Sequence, residues 1–166
     1  HPEMPEEERG NLLGECDLIL SFLCYNDIGA MSRLHRSASS QMSHSAISIQ
    51  SSGGWTFGSP SVLMMFYRMP GDLKNELAEM DECMPHYYKV TSHHGQGAET
   101  IMRAEALFCQ GDFTDAHIEL ERAYTQVKEN GQINMALCCD FLSRRLSLYV
   151  EVEQRYTFDE RYAMLL

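Results

Sequence analysis

A three-residue turn signature recurs along the chain and commits it to a repeated architecture. "GDF" occupies positions 111–113, "GDL" 71–73, and a weaker copy, "NDI", 26–28. The apolar members Ile28, Leu73 and Phe113 stand 45 and then 40 residues apart. Each copy follows an apolar stretch ("CDLILSFLCY", "SVLMMFYRM", "ETIMRAEALFCQ") and precedes an amphipathic one ("AMSRLHRSA", "LKNELAEMDECM", "TDAHIELERAYTQV"). Glycine, or asparagine in its place, supplies the left-handed backbone that reverses a chain between two helices. A period of this size with paired helices marks an α-α superhelix, a solenoid of antiparallel helix pairs. The expected fold class is therefore all-α, with at least six helices and turns at Asn26-Asp27, Gly71-Asp72 and Gly111-Asp112.

Side-chain size follows the same period. Ala116, Leu120 and Ala123 place small, large and small side chains on one helix face. Met31, His35 and Ala38 reproduce that spacing, while Glu76 falls near the small position of the middle unit and predicts a splayed or shifted pair there. Ala116 and Ala123 are expected to pack against "ETIMRAEALF", near Met102, Ala106 and Cys109. Ser59 and Pro60 suit an N-cap and first turn for a helix beginning near Ser61, which Pro70 ends. Pro85 is expected to kink or restart the second helix of that unit. "SHHGQGAE" reads as a loop before a helix start near Ala98, and "ENGQ" at 129–132 as a break before a helix over 133–150. One domain over 1–166 results, with units at about 12–40, 59–90, 97–129 and a partial one at 132–152. The serine-rich segment 39–54 reads as a long surface connection.

Charge excludes some partners. Twenty-four acidic against 13 basic residues give a net charge of -11, which repels phosphate and argues against DNA or RNA binding by this segment. No apolar run reaches the length of a membrane span, and the start, "HPEMPEEERG", is unlike a secretory signal. Six cysteines, Cys16, Cys24, Cys83, Cys109, Cys138 and Cys139, form no CxxC pair, which fits buried, reduced thiols in the cytoplasm. His1 at the start suggests a piece of a longer protein.

Chemistry-bearing residues are few and poorly grouped. Cys83, His86, His93 and His94 could be drawn as a zinc set, but Pro85 interrupts the Cys83–His86 pair and adjacent histidines seldom share one metal. Cys109 with His117 lacks an orienting third residue for nucleophilic catalysis. Glu79, Asp81 and Glu82, like "EMPEEE" at the start, read as a solvated face without calcium-loop spacing. The chain is thus expected not to be an enzyme, and to hold no metal and no cofactor. Aromatic residues give a better lead. Trp55, Phe57, Tyr67, Tyr87 and Tyr88 gather around the second unit, where a concave face could take a ligand. With His93 nearby, Trp55, Tyr67, Tyr87 and Tyr88 are the candidate ligand-binding residues for a polar, sugar-like or peptide ligand. The alternative is that these rings simply fill space between helices.

"WTFGSPSVLMMFYR", "MDECMPHYYKVTSHHGQGAE" and "AEALFCQGDFTDAHIELERA" together resemble the MalT-like branch of the LuxR-type transcriptional regulators, over roughly residues 12–150. The resemblance implies tetratricopeptide-like repeats lying between an ATP-binding domain and a helix-turn-helix. No G-x-x-x-x-G-K-[ST] loop and no helix-turn-helix is found in this chain, so ATP and DNA belong to other parts of such a regulator. Implied for the segment is effector sensing and oligomerisation, with a small-molecule effector, a protein partner or a second copy as its partner. A plain tetratricopeptide-type interaction scaffold is the alternative.

Overall fold

The computed structural model describes residues 4–24, 26–49, 54, 60–66 and 70–153. Among them every regular element is an α-helix: α1 (Glu6–Leu23), α2 (Ile28–Gln41), α3 (Val62–Phe66), α4 (Leu73–Val90), α5 (Ala98–Gln110), α6 (Phe113–Glu129) and α7 (Ile133–Glu153). The short links between α1 and α2, α5 and α6, and α6 and α7 make these neighbours antiparallel. Packing then runs along the chain: α1 on α2, α2 on α4, α4 on α5, α5 on α3 and α6, and α7 on both α5 and α6. The architecture is all-α.

The repeated turns have a shared physical basis. Gly71 and Gly111 stand at φ +90° and +88°, in the left-handed region where a side chain would be strained. After α5, the Asp112 amide reaches back to the Leu107 carbonyl at 3.0 Å; after α6, the Gln132 amide reaches the Val127 carbonyl at 3.0 Å. Both close the helix end on a glycine, at Gly111 and at Gly131. The Asn26-Asp27 turn works differently. Its preceding residue, Tyr25, lies outside the described residues, and the contact on view is a side-chain cap. Asp27 caps α2, its carboxylate accepting the Ala30 amide at 3.0 Å.

The face with this four-then-three spacing is buried in α2, α4 and α6. Ala116, Leu120 and Ala123 of α6 are fully inaccessible, as are Met31, His35 and Ala38 of α2 to within a few per cent. Glu76, Met80 and Cys83 of α4 hold the same spacing and are also buried, but α4 packs on α2 and α5 while α3 packs on α5, so among the described residues the middle pair is splayed, as Glu76 predicts. Met102 and Ala106 on α5 are buried as expected, but Cys109 is exposed and lies off that contact. Enlarging Ala116 or Ala123 to Leu should lower the unfolding free energy by about 1–3 kcal/mol through overpacking, measured by chemical denaturation.

Two local expectations are corrected, and a third falls outside the described residues. Pro85 neither restarts nor ends α4, which is continuous across it. Pro85 and Asp81 both face solvent, so water can serve the Asp81 carbonyl that the missing N–H leaves. The serine-rich segment is helical as far as Gln41, and beyond it the described residues are tied down. The Asn11 carboxamide accepts the Ser43 amide at 2.8 Å, Glu15 accepts the Ile47 amide and the Ser48 hydroxyl, and Ala46 is buried with its amide on the Val90 carbonyl. Ser59 and residues 67–69, where the N-cap and the end of the third-helix stretch were expected, lie outside the described residues.

Helices α1 and α2 meet through glycine. A Cβ on Gly10 would stand 2.9 Å from the Gln41 carbonyl oxygen, and one on Gly14 would stand 2.2 Å from Met42 Cγ. "GNLLG" at 10–14 puts both glycines on the face that approaches α2.

Candidate functional site

Tyr87 and Tyr88 project from the buried face of α4 into the interior. The Tyr87 ring lies 4.9 Å from His35 and meets Phe22 edge-on at 6.4 Å, while its hydroxyl pairs with His94 Nδ1 at 2.7 Å. The Tyr88 hydroxyl donates to the Glu99 carboxylate and accepts the Gly97 amide at 3.2 Å. Burial pushes both phenols above their ordinary range, and the Glu99 charge adds to the effect at Tyr88. Both hydroxyls are buried and bonded within the protein. The reason lies in helix phase: positions 80, 83, 84, 87 and 88 share the inward face of α4. His93 is exposed at φ +64°, in the turn that closes α4, whereas its neighbour His94 is buried against Tyr87. Trp55 and Tyr67, the other two candidates, and Phe57 lie outside the described residues.

Tyr87→Phe and Tyr88→Phe should therefore each cost about 1–3 kcal/mol, because each removes one partner of a buried hydrogen bond. Urea denaturation of the two variants checks this, and an unchanged midpoint would place the hydroxyls outside the core.

Beside Tyr87 lies a polar cluster that the sequence did not reveal. His35 Nδ1 lies 2.9 Å from Cys83 Sγ, and Nε2 lies 2.9 Å from Ser21 Oγ. Ser21 donates its own proton to the Leu18 carbonyl at 2.6 Å, so its oxygen accepts from His35. This direction puts the ring proton on Nε2 and leaves Nδ1 to accept from the Cys83 thiol. Desolvation, then the nearby His86, lowers His35 to about 4; burial foremost raises Cys83 to about 12. A neutral ring and a protonated thiol, both fully buried, form a structural cluster. The features of a reactive cysteine, a lowered pKa and access to substrate, are not those of Cys83. His35 occupies the large position of the α2 face, which was the available signal.

A second buried polar group joins α5 to α3. Glu105 Oε2 accepts the Leu63 amide at 2.7 Å, and the Ser61 side chain and the Val62 amide also bond to this carboxylate. Burial raises its pKa, against the pull of these donors. Glu105 thus holds the start of α3 on the core from 42 residues away.

Two of the four side chains that could be drawn as a zinc set are engaged separately. Cys83 pairs with His35, His94 with Tyr87, and His93 is exposed; among the described residues no three His, Cys, Asp or Glu side chains gather as metal ligands. Cys16 and Cys109 are exposed and Cys24 is half-buried, so only Cys83, Cys138 and Cys139 fit the buried thiols expected.

Among the described residues, large apolar side chains stay exposed along two helices. On α1, Leu12, Leu13, Ile19, Leu20 and Leu23 are 46% to 75% exposed. They lie opposite the Gly10, Gly14, Leu18 and Ser21 face that meets α2. On α7, Ile133, Leu137, Phe141 and Leu148 form a similar outer line, opposite Met135, Cys138, Cys139, Leu142 and Leu146 in the core. A helix apolar on two opposite faces is built for two neighbours. No helix among the described residues is long and apolar enough to cross a membrane.

No family model, curated protein or solved structure matches this chain.

Proposed function

We propose that the chain is a helical-repeat interaction module, a tetratricopeptide-like α-α array whose outer helix faces bind protein. It would serve as the middle segment of a cytoplasmic transcriptional regulator of the MalT-like kind that the sequence resembles. The repeated buried face of α2, α4 and α6, set at the same 45- and 40-residue steps as the turns, supports the array. The observation that carries the role is the pair of exposed apolar lines on α1 and α7. Solenoids keep a polar outer face where they end in water, and apolar faces of this length mark association surfaces.

Of the two roles implied for such a segment, oligomerisation gains from the packing and effector capture loses. Tyr87 and Tyr88 spend their hydroxyls inside the protein. Transcriptional control would then pass through contacts of these faces, with DNA binding left to another part of such a regulator, a division that the acidic charge of this segment supports.

Sedimentation velocity of the wild type and of Leu20→Glu/Leu137→Glu, beside a thermal-shift screen of metabolites and oligosaccharides, tests the proposal. Concentration-dependent assembly in the wild type, lost in the folded variant, is expected. A chain monomeric at every concentration, yet raised in melting temperature by a sugar or metabolite, would return the role to effector sensing.

A further inference from the structure

We infer that the outer face of α1 takes a second copy of this chain, the two helices pairing antiparallel with Cys16 at the two-fold axis. This rests on the interaction-module proposal above and names the partner of one of its faces. Leu12, Leu13, Cys16, Ile19, Leu20 and Leu23 are exposed and fall at the a, d and e positions of one heptad seam. The seam is self-complementary. Counted from Cys16, apolar residues stand three and four positions away in both directions, so antiparallel pairing sets Leu12 against Leu20 and Leu13 against Ile19. An interface between identical copies about a two-fold axis needs such a patch.

Charge selects the same arrangement. A net charge of -11 opposes self-association in general, but the six seam residues are uncharged, and Glu15 and Asp17, which flank Cys16, turn their carboxylates to Ile47, Ser48 and Gln41 of their own chain. The acidic residues Glu6, Glu7 and Glu8 sit together in the first turn of α1. Parallel pairing would put six carboxylates side by side. Antiparallel pairing separates the two acidic turns by roughly 27 Å along the axis, well beyond a screening length of about 10 Å. Arg9 comes opposite Leu23 and can lay its aliphatic stem along it. The α7 line lacks this symmetry and has the charged Asp140 and Arg144 beside it.

Sedimentation equilibrium of the full chain, with Leu20→Glu and Leu137→Glu, locates the dimer. Leu20→Glu should stay helical by circular dichroism and weaken the dimer at least about a hundredfold, because two carboxylates would be buried against Leu12; Leu137→Glu should leave it unchanged. For orientation, Leu12→Cys and Leu20→Cys are placed in a chain whose Cys16, Cys24 and Cys109 are serine, then mixed and joined with a short bismaleimide. The mixed 12–20 product should dominate. Joining of 12 to 12 and 20 to 20 would show a parallel pair and overturn the arrangement. Loss of the dimer in Leu137→Glu but not Leu20→Glu would move self-association to α7, overturning this inference while leaving the interaction-module proposal intact. A wild type monomeric throughout would overturn the inference, and the module proposal would fall only if a small ligand also proved to be the partner.

Discussion

Acidification from neutrality to about pH 4 is expected to lower the unfolding free energy by roughly 3 kcal/mol through His35 alone. The folded ring holds its proton only near pH 4, whereas the free side chain takes one up near 6.5. Between those values the unfolded chain binds the extra proton, so stability is full above the upper one and falls as pH drops toward the lower. Burial is the main cause, and the hydrogen-bond direction adds to it: a charged ring would place a second N–H against the Cys83 thiol, which now donates. Glu105 acts with the opposite sign. Its raised pKa favours the folded state on acidification, since the folded carboxyl takes up its proton first. Denaturation midpoints of wild type and His35→Gln across this range isolate the histidine. The wild type should show the steeper decline, and parallel profiles would contradict the buried, neutral imidazole.

Gly14→Val is expected to destabilise the protein by about 3 kcal/mol, at the top of the usual range for overpacking. Two opposed effects meet at this residue. A glycine inside a helix gives up some stability relative to alanine through backbone entropy, up to about 1 kcal/mol, so filling it would ordinarily help. Here the new Cβ would stand 2.2 Å from Met42 Cγ and 3.3 Å from the Ala38 carbonyl oxygen, which forces α1 away from α2. Met42 is itself buried at the end of α2 and has little room to move. Gly10 is tighter in kind, because its obstacle is the Gln41 backbone. Gly131, with open space around its absent Cβ, supplies the control for loss of a glycine without a clash, although its left-handed φ adds strain of its own. Urea unfolding of Gly14→Val and Gly131→Ala makes the comparison, and a silent Gly14→Val would mean that α1 does not seat closely on α2.

Much of the fold was legible because it is written locally. The glycine turns at 71 and 111 and the face Ala116, Leu120 and Ala123 depend on residues a few positions apart, and the helices follow from them. What escaped was decided across distance. Tyr87 and Tyr88 carry the same helical spacing whether they fill a core or line a groove, and only His94 and Glu99, brought back by the turn after α4, settle where their hydroxyls go. Of the adjacent histidines, the turn buries His94 and exposes His93, a difference that spacing does not encode. The contact of His35 with Cys83 spans 48 residues, and the hold of Glu105 on Leu63 spans 42. Pro85 misled because its exposed position on α4 was not visible in sequence. The outer line of α1 could have been found, since "CDLILSFLCY" is apolar on more sides than one neighbour can cover.

Amide hydrogen exchange of the chain at low and high concentration tests most directly whether the outer helix faces carry association. Added protection is expected along α1, over residues 12–23, as concentration rises, with α5 and α6 unchanged because their faces are already spent on the core. Protection gained across the interior helices, or gained around Tyr87 and His93 with α1 and α7 unaffected, would contradict such association.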